Sequence, residues 1–281
     1  MNNNYYLNID LRNYLANNCH LDFNNPEIVF NHFASIPGQI FRQVKSRVTK
    51  KIKLDSKLDG KLEQEYFIKI HYSSGNKINF KEFIKNIYSL NWPFVSNVSA
   101  QQEKDAIEAL QKLGINTLEL AGYIKIKQNS FIITKAIMPS ISLDQLCEKY
   151  LNYPDYFKLK RKLIKYIAKN TRKLHQNGLN HRDYYLCHYL LKVKDLEINN
   201  INTDDIYLID LHRMQIRKTV SVRYIIKDLG GLLFSARNYK FTRTDYLRFI
   251  KYYLNIKSVK KINKSFWSKV IKKAASMREK G

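Results

Sequence analysis

Two aspartates in the second half of the chain stand where carboxylates could carry out chemistry. Asp183 ends the segment Asn180-His181-Arg182-Asp183, which predicts a loop because a helical pattern precedes it and an apolar strand follows. That strand, Ile206-Tyr207-Leu208-Ile209, runs directly into Asp210. A carboxylate on a loop can accept the proton of a hydroxyl group, and a carboxylate at the end of a strand can bind a metal ion. Asp183 alone is equally typical of a solvated loop, but the pair favours phosphoryl transfer.

Lys69 is a candidate for binding phosphate groups, because it interrupts the apolar strand pattern Tyr66-Phe67-Ile68-Lys69-Ile70. A lysine that faces inward from a half-buried strand needs an anionic partner, and Glu103 on the following helical segment is the natural one. Such an ion pair would hold the α- and β-phosphates of a nucleotide. Lys69 taken alone also fits an edge strand with its ammonium group in water, so both interpretations stay open.

The chain before residue 137 is patterned mainly as strands. Apolar and polar residues alternate from Ile40 to Ile70, and an apolar strand pattern returns at residues 130–134. Residues 1–35 are rich in asparagine and weakly patterned, so we expect a lead-in without regular structure.

Helical patterns fill the rest. One is predicted over Phe80–Ile87, and another begins at a capping box formed by Ser99 and Gln102 and ends at a C-cap at Gly114. After residue 137 the helical segments are 161–176, stopped by Gly178, then 227–236 and 244–254. We expect an α+β protein with two lobes and a cleft between them. Residues 1–137 would form a small lobe of β-sheet plus helix, and 138–281 a larger, mainly helical lobe.

Composition narrows the class of protein. The formal charge is +25, from 49 Lys and Arg against 24 Asp and Glu, which favours an anionic partner, although a chain this rich in Asn, Lys, Ile and Tyr also gains charge through codon bias. No apolar run approaches the roughly 20 residues of a membrane helix, and no signal peptide is evident. Three scattered cysteines (Cys19, Cys147 and Cys187) predict reduced thiols and a cytoplasmic protein.

The segment from Ile256 to Gly281 is strongly basic, with Glu279 as its only acid. Its apolar residues recur near helical spacing beside Trp267. A basic amphipathic helix suits an anionic membrane surface, but the same pattern predicts a helix that packs on the larger lobe and leaves its lysines in water.

Several histidines and a cysteine lie near the two aspartates: His175, His181, Cys187, His188 and His212. Their spacing does not match the paired ligands of a zinc site, so we expect none. Arg182 could bind a phosphorylated activation loop, but no such loop is recognisable after Asp210, and a structural role is expected instead.

The two aspartates lie in longer blocks that resemble the lipopolysaccharide kinase (Kdo/WaaP) family, and most of all its heptose(I) kinases. These blocks run from Asn180 to Leu191 and from Ile209 to Arg217. Weaker matches follow the family's order through most of residues 37–255: Gly38-Gln39-Ile40-Phe41-Arg42, Tyr66-Phe67-Ile68-Lys69, Gln102-Glu103, residues 131–144, and Lys227-Asp228-Leu229-Gly230-Gly231.

The resemblance implies a protein-kinase-like bilobal fold that uses ATP and Mg²⁺. Asp183 would be the catalytic base, Asp210 the magnesium ligand, and Lys69 the phosphate-binding lysine with Glu103 as its partner. Asp228 would be a buried anchor that orients the catalytic loop. The acceptor would be a heptose hydroxyl of the lipopolysaccharide inner core, carried on lipid A.

Two positions depart from ordinary protein kinases. The loop near Gly38 has a single glycine, which puts phosphate binding by a glycine-rich turn in doubt. His188 stands where protein kinases have a metal-binding asparagine, and magnesium prefers oxygen ligands.

Alternatives remain in the same class and in another. A Kdo kinase or a protein kinase would use the same four residues, whereas a pseudokinase is disfavoured because all four are present. A basic nucleic-acid-binding protein is the alternative of another class. Lysine and arginine are spread along the chain without a zinc finger or RNA-binding signature, so no nucleic acid is expected.

Overall fold

The structure is a computed structural model, and it describes residues 4–44, 46–54, 64–72, 100–193 and 197–277. The chain divides into two compact units. The first unit contains residues 1–105 and 119–136, and the second contains residues 106–118 and 137–281. Antiparallel sheets and helices are combined, so the predicted α+β class is confirmed. The predicted helix Phe80–Ile87 and the N-cap residue Ser99 lie outside the described residues.

The first unit is built on one six-stranded antiparallel sheet, in the order β1-β5-β6-β4-β3-β2. The strands predicted between Ile40 and Ile70 and at 130–134 are present as β2, β3, β4 and β6. The elements of this unit, including helix α3, whose second half groups with the other unit, are β1 (Tyr5–Leu7), α1 (Ile9–Asn13), α2 (Pro26–Ser35), β2 (Gln39–Val44), β3 (Arg47–Leu54), β4 (Gln64–His71), α3 (Ala100–Lys112), β5 (Leu120–Ile126) and β6 (Asn129–Lys135).

Residues 1–35 are not the irregular lead-in that the sequence predicts. Strand β1 extends the sheet by pairing with β5, and the following helices bury Leu11, Leu15 and Phe33 completely. Phe33 packs edge-on against Phe131 of β6. The N-terminal residues therefore complete the core of this unit, and widely spaced apolar residues among asparagines conceal that role.

Alternation along β4 decides which way Lys69 faces. Tyr66, Ile68 and Ile70 are buried in the core beneath α1 and α2. Because side chains of a strand alternate between its faces, Lys69 lies on the opposite face of the sheet. Strand β4 is an inner strand, flanked by β3 and β6, which removes the edge-strand interpretation of Lys69.

The second unit contains most of the helices and two small sheets. A three-stranded sheet has the order β10-β9-β7, and strands β8 and β11 form a pair. Its elements after residue 137 are β7 (Ser140–Ser142), α4 (Leu143–Tyr150), α5 (Tyr156–Gln176), β8 (Leu179–Asn180), β9 (Tyr189–Lys192), β10 (Ile206–Leu208), β11 (Gln215–Ile216), α6 (Val222–Ala236), α7 (Arg243–Leu254) and α8 (Lys264–Ala275).

Both predicted glycine stops are present. Gly114 has a φ of +60°, and the amides of Gly114 and Ile115 donate to Gln111 and Leu110, which closes α3 with a Schellman motif. Gly178 has a φ of +80° after α5, and its carbonyl accepts the amide of Arg217 at 2.9 Å. Gly178 thus turns the chain from α5 into β8 and the loop that contains Asp183.

The basic C-terminal segment forms a packed helix, as one of its two interpretations predicts. Trp267, Val270 and Ala274 of α8 are buried, and Trp267 and Val270 pack with Leu229 of α6. A Cβ atom on Gly230 would lie 2.8 Å from a side-chain carbon of Lys273, so glycine allows the two helices to approach closely. Among the described helices, none combines the length and apolar character needed to span a bilayer.

The two glycine stops allow a matched stability test. A Cβ on Gly178 would lie 1.8 Å from the Arg217 carbonyl oxygen, whereas one on Gly114 would meet only the flexible Lys173 ammonium at 3.9 Å. We expect Gly114→Ala to cost about 1 kcal/mol, the penalty of a left-handed backbone, and Gly178→Ala to cost about 3 kcal/mol or more. Urea denaturation measures both, and equal losses would contradict a steric role for Gly178.

Candidate active site

The loop that contains Asp183 is fixed by a buried carboxylate on α6. Asp228 is 1% exposed, and its two oxygens accept the backbone N–H groups of His181 and Arg182 at 2.7 and 2.8 Å. Arg182 has a φ of +73°, an unfavourable conformation for a residue with a Cβ. The two hydrogen bonds hold the backbone in that conformation, which is the contact expected of Asp228 as an anchor.

His181 connects the same loop to the strand before Asp210. Its ring is completely buried, and Nε2 donates to the carbonyl oxygen of Ile209 at 3.0 Å. Burial lowers the pKa of His181, which keeps the ring neutral near pH 7. The residues before both aspartates are therefore joined by one buried hydrogen bond. This bond brings the two sequence-predicted aspartates into a single region of the second unit.

Asp183 is paired with an arginine that the sequence analysis did not select. Arg213 Nη1 lies 2.8 and 3.0 Å from the two carboxylate oxygens of Asp183. The side chain of Asp183 is 19% exposed and that of Arg213 is 37% exposed, so the carboxylate remains accessible. Arg213 lies in the block from Ile209 to Arg217, and only the aspartate of that block was assigned a role. Its conspicuous position in that block was the available signal.

Asp210 occupies a sharp turn between two histidines. Its φ is +60°, and a short 3₁₀ turn follows directly. His212 Nδ1 lies 2.6 Å from one carboxylate oxygen, and His188 Nε2 lies 3.4 Å from the other. The second ring nitrogen of His188 donates to the carbonyl oxygen of Asp183 at 2.6 Å. His188 thus spans the space between the two aspartates.

In the first unit, Lys69 and Glu103 form the predicted ion pair. Lys69 Nζ lies 2.6 Å from Glu103 Oε1, and the glutamate is 1% exposed on the first turn of α3. The other oxygen, Oε2, is buried and has no hydrogen-bond partner among the described residues. Because a buried carboxylate is costly without a counter-charge, the lysine and glutamate side chains hold each other in place.

The candidate metal site was tested against the chemistry of its donors. Within the described residues, no group of three or more His, Cys, Asp or Glu side chains is arranged to hold a metal ion. The zinc site is therefore not found there, as expected. A single accessible carboxylate such as Asp210, 31% exposed, fits magnesium, which commonly takes one or two carboxylates and completes its shell with water and phosphate oxygens.

Known proteins resemble this chain over most of its length. The profile of the lipopolysaccharide kinase (Kdo/WaaP) family matches residues 31–253. A protein of Escherichia coli named lipopolysaccharide core heptose(I) kinase WaaP is 34% identical over 264 residues, covering 89% of this chain and 91% of its own. A Pseudomonas aeruginosa protein of the same name is 33% identical over 231 residues, covering 80% of each chain.

A solved structure also matches. It is described as WaaP in complex with acyl carrier protein, and it superposes with a TM-score of 0.73 at 26% sequence identity. The match covers 98% of this chain and 99% of that one, so the predicted kinase-like fold is confirmed.

The ion pair of the first unit should show strong dependence on its partner. We expect Lys69→Met to lower the free energy of unfolding by about 3 kcal/mol, because it leaves the Glu103 carboxylate buried and unpaired. Adding Glu103→Met should restore part of that loss. The control is Lys51→Met, which breaks the more accessible Lys51–Glu65 pair on neighbouring strands and should cost about 1 kcal/mol or less. Additive losses at Lys69 and Glu103 in chemical denaturation would rule out their coupling.

Proposed function

Because this chain belongs to the lipopolysaccharide kinase (Kdo/WaaP) family, we propose that it transfers the γ-phosphate of ATP to a heptose hydroxyl of the lipopolysaccharide inner core. One observation carries the proposal. The Asp183 loop, anchored by Asp228 and bonded to the residue before Asp210, lies within a chain whose relatives are named core heptose(I) kinase over most of their length. The enzyme is a phosphotransferase with an alcohol group as acceptor.

Asp183 would act as the catalytic base. Its carboxylate accepts the proton of the acceptor hydroxyl as the oxygen forms a bond to the γ-phosphorus, and the bond to the β–γ bridging oxygen breaks to release ADP. Arg213 holds both carboxylate oxygens and keeps Asp183 ionised at neutral pH. It therefore orients the base and does not itself react.

Asp210 would hold the cation that accompanies ATP. Bound Mg²⁺ would neutralise the charge of the β- and γ-phosphates. His212 fixes the orientation of the Asp210 carboxylate through one oxygen, which leaves the other directed towards His188. The two histidines thus act on Asp210 as orienting groups.

Lys69 would bind the α- and β-phosphates, with Glu103 holding the ammonium group in position. In this division of labour, residues 1–137 form the ATP-binding lobe and residues 138–281 carry the base and the metal ligand. A kinase needs both sets at once, so loss of either should abolish phosphoryl transfer.

The acceptor is the most specific part of the proposal. An inner-core oligosaccharide is anionic through its Kdo carboxylates, and a protein of charge +25 attracts it. A Kdo kinase or a protein kinase would keep the same four residues and change only the acceptor. The names of the relatives favour heptose over both.

We place the enzyme in the cytoplasm, where ATP is available, and infer peripheral contact with the inner membrane. Helix α8 buries its apolar side against α6 and exposes lysines such as Lys269 and Lys272. Contact with anionic lipid headgroups would therefore be electrostatic and would weaken as salt rises.

A second proposal concerns a protein partner. The solved structure of a WaaP contains acyl carrier protein, and we propose that this chain also binds an acylated carrier protein. Its second unit holds an apolar cavity of about 130 Å³, bounded by side chains of α5, α6, α7 and α8 such as Ile167, Leu229 and Trp267. Native cores rarely leave an apolar space of this size, and an acyl chain has the matching chemistry.

The partner proposal is tested by filling the cavity. Ala236 lines it, and Ala236→Phe places a ring inside without adding charge. We expect acylated carrier protein to raise the melting temperature of the unmodified chain and to have little effect on Ala236→Phe, because bound ligand stabilises only when its site is open. Carrier protein without an acyl chain is the control. Equal shifts with and without the acyl group would contradict a role for the cavity.

The heptose proposal is tested by locating the transferred phosphate. Purified protein is incubated with ATP, Mg²⁺ and dephosphorylated core oligosaccharide, and mass spectrometry and NMR identify the phosphorylated sugar. We expect phosphate on heptose, and we expect Asp183→Ala to lower kcat by about 10²- to 10⁴-fold while ATP affinity stays within a few-fold.

The control for that test is Asp155→Ala, which removes a carboxylate from an exposed pair with Lys158 and should keep full turnover. Phosphate found on Kdo or on a protein would overturn the heptose assignment. Normal turnover by Asp183→Ala would overturn the assignment of the base.

A further inference from the structure

Three cationic side chains surround Asp183, and only one of them forms an ion pair with it. Arg213 contacts both carboxylate oxygens, and Arg182 is the adjacent residue on the loop. The third cation is Lys227, which precedes the loop anchor Asp228 on α6. Because Asp228 accepts hydrogen bonds from the loop backbone, its neighbour Lys227 is held beside the same loop.

Lys227 is half-buried without a counter-charge of its own. In the part of the chain that the structure describes, no carboxylate lies within ion-pair distance of its ammonium group. Burial lowers the pKa of Lys227, the charge of Asp183 acts in the opposite direction, and repulsion from Arg213 and Arg182 lowers the pKa further. Lys227 therefore lies within electrostatic range of the catalytic base and of two other cations.

The nearby carboxylates are already engaged. Asp228 uses both oxygens for the backbone of His181 and Arg182, and Asp183 uses both for Arg213. Arg182 adds a further unsatisfied group, since its Nε is buried without a hydrogen-bond partner among the described residues. Half-buried cations are stable when an anion compensates them. The surplus of positive charge beside the base thus calls for an anionic ligand.

We propose that Lys227 and Arg213, supported by Arg182, form an oxyanion subsite beside Asp183 that binds a carboxylate or phosphate group of the sugar acceptor. The proposal rests on the proposed kinase function and adds a requirement for an anionic acceptor. It involves binding only. The planar guanidinium group of Arg213 has donors left over after contacting Asp183, and Lys227 adds a point charge.

The same oxyanion chemistry occurs in two molecules of the reaction, the acceptor and the γ-phosphate of ATP. An acceptor carboxylate next to the reacting sugar would place the hydroxyl near Asp183, and loss of Lys227 would then raise the KM for the acceptor. A subsite for the γ-phosphate would raise the KM for ATP with every acceptor. The two sources therefore give different kinetic changes.

The kinetic test compares Lys227→Gln and Lys227→Arg with the unmodified enzyme, on native core oligosaccharide and on the same oligosaccharide with its carboxyl groups methyl-esterified. We expect Lys227→Gln to raise the KM for native acceptor by about 10- to 100-fold, the range for losing a hydrogen bond to a charged group. Its kcat and its KM for ATP should stay within about threefold, and Lys227→Arg should recover most of the loss. With esterified acceptor, the unmodified enzyme and Lys227→Gln should differ little.

Lys165→Gln is the matched control, because it removes one exposed charge on α5 outside the site and should leave every parameter unchanged. An increase confined to the KM for ATP would assign the subsite to the nucleotide and overturn its assignment to the acceptor. Unchanged KM values for both substrates would overturn the subsite itself.

A second measurement does not depend on heptose phosphorylation. Inorganic phosphate is titrated into the unmodified protein, Lys227→Gln and Lys165→Gln, and binding is followed by calorimetry at low salt. The subsite predicts binding that Lys227→Gln weakens by about tenfold or more and that Lys165→Gln preserves. If the protein phosphorylates no core sugar yet shows this pattern, the proposed acceptor is wrong and the subsite stands. Equal phosphate binding by all three proteins would overturn the subsite.

Discussion

The buried carboxylate of Asp228 is the constraint on which the candidate active site depends. Its two oxygens accept the N–H groups of His181 and Arg182, and thereby hold a non-glycine residue at a positive φ. This conformation directs the next residue, Asp183, out of the loop. The hydrogen bond from His181 to Ile209 carries the same constraint to the residue before Asp210. One carboxylate on a long helix thus sets the positions of both functional aspartates.

Each candidate functional carboxylate in the structure has a specific cationic or hydrogen-bonding partner. Asp183 pairs with Arg213, Asp210 with His212, and Glu103 with Lys69. These partners differ in burial, and burial determines their consequences. The Glu103 pair is almost fully enclosed and is the one whose disruption should affect folding, whereas the Asp183 and Asp210 pairs remain accessible and can rearrange when ligands bind.

The large positive charge of the chain has more than one physical role. On α8 it lies on the exposed side of a helix whose apolar side is packed, so those lysines remain in water. Near the base it is partly buried and lacks full compensation, as Lys227 and Arg182 illustrate. A solvated charge costs little and attracts anions weakly, but a half-buried charge favours a bound anion at a defined place. Net charge alone therefore says little about where an anionic acceptor binds.

The sequence by itself determined the elements and the four candidate residues, because strand alternation, helix caps and short motifs are local. The strands between Ile40 and Ile70, the turns at Gly114 and Gly178 and the pairing of Lys69 with Glu103 all follow from such patterns. The tertiary structure decided what depends on contacts between distant residues. It showed that the N-terminal residues complete a core, that α8 packs on α6, and that Arg213 holds Asp183. Periodicity reports which face of an element is apolar, but the identity of the side chain across a contact is set by packing of the whole chain.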